Sequence, residues 1–105
     1  MPHDEVYEAM SESFERGAPI ALATVAQTLG STPRKTGAKM LVKPDGSFVG
    51  TIGGGCGEAE VWQEAMDALD DGDARMVTVD LTEPVDGEDK ICGGIMRIFV
   101  ERLEA

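Results

Sequence analysis

The stretch Phe48-Val49-Gly50-Thr51-Ile52-Gly53-Gly54-Gly55-Cys56-Gly57-Glu58 decides how the rest of the chain is read. Its first five residues carry the aromatic and β-branched side chains of a strand. From Glu58 onward Val61, Trp62, Ala65, Met66 and Leu69 recur at helical spacing. A strand therefore passes through a glycine loop into a helix. Glycines open backbone conformations closed to other residues and let a ligand approach the chain closely. The first turn of a helix offers unpaired N–H groups and a positive dipole end, where an anion or thiolate is stabilised. Cys56 in that position is expected to ionise more readily than a free thiol, whose pKa is about 8.5. The plain alternative is a tight turn holding an inert cysteine.

Upstream, Lys39-Met40-Leu41-Val42 reads as a strand pairing with Phe48–Ile52 about the turn Pro44-Asp45-Gly46-Ser47, where Pro presets φ and Gly accepts a positive one. Ile20 to Val25 reads as a strand buried on both faces, and Leu29 to Gly37 as a loop rich in Gly, Ser, Thr and Pro. Residues 4–17 read as a helix that Asp4 caps and Gly17 stops, with Val6, Tyr7, Met10 and Phe14 near helical spacing. Downstream, the helix from Glu58 ends near Asp70, before Gly72. A strand Arg75–Leu81, an acidic loop Thr82–Lys90 and a closing strand Ile95–Leu103 follow. The expected fold is α+β: one small domain over residues 1–105, with a mixed β-sheet of about five strands and two helices. Trp62 and the methionines are read as core.

The net charge of -11 over 105 residues speaks against nucleic acid or an anionic membrane as partner. Its distribution is uneven. From Arg16 to Gly57 stand five cations (Arg16, Arg34, Lys35, Lys39 and Lys43) and one acid, Asp45, a local +4. The remainder carries -15, so the segment that includes the glycine loop has been kept nearly free of carboxylates. No stretch approaches the ~20 apolar residues of a membrane span, and the opening residues lack the pattern of a secretory signal, so a cytoplasmic protein is expected.

The two cysteines, Cys56 and Cys92, lie 36 positions apart and outside any C-x-x-C pair, and the single histidine is His3. That pattern disfavours structural zinc, and a reducing compartment disfavours a structural disulfide. Two familiar phosphate motifs are also absent. No glycine starts a G-x-x-x-x-G-K-[ST] loop, and G-x-G-x-x-G/A fails at Glu58 from Gly53 and at Glu60 from Gly55. Glu58 reads as a first-turn carboxylate favoured by the helix dipole, or as a proton acceptor or ligand contact beside Cys56. Cys92-Gly93-Gly94 repeats the juxtaposition of thiol and glycine. Gly30-Ser31-Thr32-Pro33-Arg34-Lys35-Thr36-Gly37 adds a basic loop, in which Arg34 offers a planar fork of donors and Lys35 a point charge.

Taken in order, Thr24-Val25, Gly30-Ser31-Thr32-Pro33-Arg34, Gly46, Gly50-Thr51-Ile52-Gly53-Gly54-Gly55-Cys56, Glu58 and Cys92-Gly93-Gly94 resemble the N-terminal domain of the XdhC/CoxI family, from about Ala18 to Glu101. These are accessory factors of xanthine dehydrogenase and related molybdenum hydroxylases. The resemblance implies a factor that binds molybdenum cofactor (molybdopterin) as cargo, protects it while sulfur replaces an oxo ligand, and hands it to an apo-hydroxylase. It implies a chaperone rather than a turnover enzyme. The implied cofactor-binding residues are Ser31, Arg34, Lys35, Gly53, Gly54, Gly55, Cys56, Cys92, Gly93 and Gly94. Cys56 is the candidate molybdenum contact, since thiolates are soft ligands; Cys56, Glu58 and Cys92 are the candidate catalytic groups. Longer family members carry a Rossmann-like C-terminal domain, so this chain is expected to be the N-terminal domain alone, either working with a separate Rossmann-like partner chain or standing alone. A homodimer is expected too. Position 57 is glycine where the family leads one to expect a bulkier residue, which predicts a looser loop. Two other functions fit the same residues: a small thiol redox protein using Cys56 and Cys92, and a phosphate- or nucleotide-binding regulatory module.

Overall fold

The computed structural model describes residues 4–30, 32, 35–53, 57–81 and 93–104. Its elements are α1 (Asp4–Glu15), β1 (Ile20–Gly30), β2 (Lys39–Val42), β3 (Phe48–Gly50), α2 (Glu58–Asp71), β4 (Arg75–Asp80) and β5 (Gly94–Leu103). The five strands form one sheet in the order β3-β2-β1-β5-β4. This is the expected α+β domain of two helices and five strands. The sheet itself is corrected: all four pairings are antiparallel, where a mixture was expected. The chain turns back on itself from β1 to β2, from β2 to β3 and from β4 to β5. α2 carries it across one face from the β3 edge to the β4 edge, so no neighbouring strands run the same way.

The alternation of side chains sorts the two faces. Ala21, Ala23 and Val25 of β1, Val77 and Val79 of β4, and Met96, Ile98 and Val100 of β5 point to the α2 side. There they meet Val61, Ala65 and Ala68, which are buried on one stripe of α2. The small residues at the contact let the helix lie close to the sheet. Ile20, Leu22 and Leu41 point the other way and pack on Val6 and Ala9 of α1. β1 is thus covered on both faces over Ile20–Val25, as its unalternating sequence suggests. Tyr7, read as part of the α1 stripe, is instead half exposed.

Two boundaries differ from the sequence reading. β1 continues to Gly30 rather than giving way to a loop at Leu29, because its distal half pairs with β5 through Gln27–Arg97, Thr28–Met96, Leu29–Ile95 and Gly30–Gly94. An irregularity between Val25 and Gln27 shifts the register there. β3 stops at Gly50 instead of Ile52. Gly50 has φ +83°, and a side chain there would meet the Lys39 carbonyl and Val6. The expected acidic loop Thr82–Lys90 lies outside the described residues.

Candidate functional site

The antiparallel order gathers the three singled-out segments at one end of the sheet. β1 ends at Gly30, opposite Gly94 at the start of β5. The approach is close: a Cβ on Gly30 would stand 3.1 Å from the Gly93 carbonyl oxygen and 3.4 Å from Gly94 Cα. β4 ends beside the same strand, where the Leu81 N–H donates to the Gly94 carbonyl (2.8 Å) and the Gly93 N–H to the Leu81 carbonyl (3.0 Å). From Gly50 the chain reaches Gly57, which abuts Val79 of β4, and there α2 begins. The loop after β1 folds back along the same end: the Gly37 N–H donates to the Val25 carbonyl and the Val25 N–H to the Ala38 carbonyl.

Gly57 is not a loosening of the loop. It is the N-cap residue of α2 in the left-handed region, at φ +74°, and a Cβ there would overlap the Val79 side chain. A bulkier residue would need both a strained backbone and a displaced strand. No side chain caps the helix; its first turn instead carries Glu58 and Glu60, whose charges face the positive end of the dipole. Glu58 is held in place, since the Thr51 hydroxyl donates to its Oε2 at 2.5 Å. The Gly53 N–H in turn donates to Thr51 Oγ1 at 3.2 Å. Thr51 therefore links the end of the hairpin, the first residue of the glycine run and the start of α2.

Among the candidate residues, Lys35, Gly53, Glu58, Gly93 and Gly94 are described; Ser31, Arg34, Gly54, Gly55, Cys56 and Cys92 lie outside the described residues. Lys35 lines an open cavity of 610 Å³ with Thr28, Gly30, Thr32 and Thr36. One ammonium among three hydroxyl-bearing side chains is a donor set suited to a phosphate. The crossing constrains Gly30, where a Cβ would press on the Gly93 carbonyl; a Cβ on Gly93 would meet nothing within 4 Å. On the α2 side, Met40, Phe48, Glu58, Ala59 and Trp62 line a smaller cavity of 290 Å³. Trp62 is only partly buried, and its Nε1–H donates to the Gly46 carbonyl at 2.9 Å, so its reading as plain core is incomplete. The sequence carries no local signal for this cleft, because Phe48 and Trp62 come together only where the hairpin meets α2. No group of three or more metal-ligating side chains forms among the described residues.

The model of the XdhC and CoxI family matches residues 13–80, which takes in the β1 loop, the glycine run and Glu58. The chain belongs to the XdhC and CoxI family. Protein YqeB of Escherichia coli, itself uncharacterized, is 40% identical over 98 residues, covering 90% of this chain and 18% of that protein. The molybdenum cofactor insertion chaperone PaoD of the same organism is 27% identical over 103 residues, covering 98% of this chain and 32% of that one. A crystal structure of a xanthine dehydrogenase from Bacillus halodurans matches with a TM-score of 0.81 at 30% identity, over 97% of this chain and 30% of the other. This XdhC and CoxI family chain thus spans a third or less of the length of these relatives. No helix among its described residues is long and apolar enough to cross a membrane.

Proposed function

We propose that this chain binds molybdenum cofactor as cargo at the glycine-rich end of its sheet. It assists the sulfuration of that cofactor or its insertion into a molybdenum hydroxylase of the xanthine dehydrogenase type, acting as a maturation factor and not as a turnover enzyme. The observation that carries this is the convergence of the β1 loop, the start of α2 and the start of β5 at one end of the sheet, with a cavity holding Lys35 among threonines. A relative named as a molybdenum cofactor insertion chaperone supports the choice of cargo.

In this reading Lys35, with Ser31 and Arg34 from the same segment, holds the cofactor's phosphate. Cys56 supplies a soft thiolate toward molybdenum or the sulfur being transferred, and Cys92 a second one. The Gly53–Gly55 run lets the cofactor come close to the backbone. The reading includes a homodimer and a separate Rossmann-like partner chain, which light scattering at graded concentrations and co-purification would test in turn.

The decisive test is an anaerobic, reducing titration of molybdopterin cofactor into wild type, Cys56→Ser and Arg34→Ala. Saturable binding that weakens in both variants is expected. Absence of binding by wild type would overturn the reading.

A further inference from the structure

The cargo reading leaves open which part of the cofactor meets which part of the protein, and the two cavities differ in a way that assigns them. The cavity at Lys35 is cationic and rich in hydroxyls. The cleft between α2 and the β2–β3 hairpin is lined by Met40, Phe48, Ala59, Trp62 and one carboxylate, Glu58, with no lysine or arginine among these residues. Its charge is wrong for a phosphate. It suits a flat, uncharged heterocycle that donates hydrogen bonds.

We propose that this cleft takes the pterin ring of the cofactor, with Phe48 and Trp62 as its aromatic walls and Glu58 as acceptor for the ring's amino-pyrimidinone edge. The inference rests on the cargo reading above. Three features show a site built in advance. Trp62 is fixed by its bond to the Gly46 carbonyl, so the indole plane is set before a ligand arrives. Glu58 is fixed through Oε2 by Thr51, which orients the carboxylate at the cleft. Met40, fully buried, lies beneath the cleft and backs its walls with a polarisable side chain.

Phe48, by contrast, is 50% exposed on the edge strand, where a large aromatic gains little from folding. A ring stacked on it would cover that surface. A pterin presents two adjacent N–H donors, the exocyclic amine and the neighbouring ring N–H, which match the two oxygens of a carboxylate. A volume of 290 Å³ is at the small end of ligand sites and fits a bicyclic ring better than the whole cofactor. The ring therefore lies at the cleft and the phosphate at Lys35.

The test measures cofactor affinity anaerobically for wild type, Phe48→Ala, Glu58→Gln and Lys35→Ala, each checked for native circular dichroism. Trp62, the single tryptophan, provides an intrinsic fluorescence signal. Phe48→Ala and Glu58→Gln should each weaken binding about tenfold, as loss of one stacking or one charge-assisted contact does. Metal-free, phosphate-free 6-hydroxymethylpterin should compete for the cofactor in wild type and in Lys35→Ala, and compete poorly in the two cleft variants. Cofactor binding unchanged in both cleft variants, or no competition by 6-hydroxymethylpterin in wild type, would overturn the assignment while the cargo reading stands. Absence of cofactor binding by wild type would overturn both.

Discussion

Gly57 and Val79 are in direct contact, and the contact sets where α2 starts over the sheet: a Cβ at position 57 would overlap Val79 Cγ1. Because Gly57 also sits at φ +74°, Gly57→Ala carries two costs, backbone strain and overpacking. Together they should destabilise the fold by about 2–4 kcal/mol. Adding Val79→Ala should return part of the loss, since it removes the overlap and leaves the strained φ. Urea unfolding of the two single variants and the double variant checks this; a neutral Gly57→Ala would show that the helix start is not pinned there.

The bond from Trp62 Nε1 to the Gly46 carbonyl ties α2 to the hairpin turn across 16 residues of sequence. Trp62→Phe keeps an aromatic wall and removes the donor. Stability should fall by about 1 kcal/mol, the usual net worth of such a bond. Denaturant midpoints at unchanged m-value would report it.

The fold was largely legible and the site only partly so, for identifiable reasons. Ile20–Val25, Lys39–Val42 and Glu58–Asp71 announce themselves through local pattern, and glycines 17 and 72 mark both helix ends. Leu29 and Gly30 read as loop, and the strand as ending at Val25, because the strand character of this stretch comes from pairing with β5 some 65 residues later, which no local window contains. Strand direction is likewise a property of the whole sheet, hence the mixed sheet expected and the antiparallel one found. At the site, Lys35 and Glu58 stand out by charge and position. Thr28 and Phe48 do not, because their significance arises only where β1 extends beyond Val25 and where the hairpin meets α2.

Arg75 binds both carboxylate oxygens of Asp71 at 2.6 Å and reaches Glu64 at 3.3 Å, joining the end of α2 to β4. The Arg75 bond, then the Asp73 backbone N–H, holds Asp71 below the ordinary carboxylate value of 3.8. A lowered folded value means that the stabilisation is complete above about pH 4 and is lost as pH falls through the folded value. The pair is solvent-exposed, so the effect is small. Asp71→Asn should lower Tm slightly at pH 7 and by less near pH 3, where the carboxylate is already being protonated. Equal shifts at both pH values would contradict the linkage.

Among the described residues lining the cavity at the end of β1, Lys35 carries the charge. Lys35→Ala should weaken cofactor binding about fivefold at low salt and by less at high salt, where the lost attraction is already screened. Its stability should match wild type, since the side chain is exposed. Affinities by calorimetry at two ionic strengths test this.

The most direct test of the central claim is to locate the metal itself. Crystals grown anaerobically with molybdopterin cofactor, measured at the molybdenum absorption edge, should give one strong anomalous peak at the end of the sheet marked by Gly53, Gly57 and Gly93. A peak at the opposite end, near the Pro44–Ser47 turn, or no peak in crystals of saturated protein, would contradict the account.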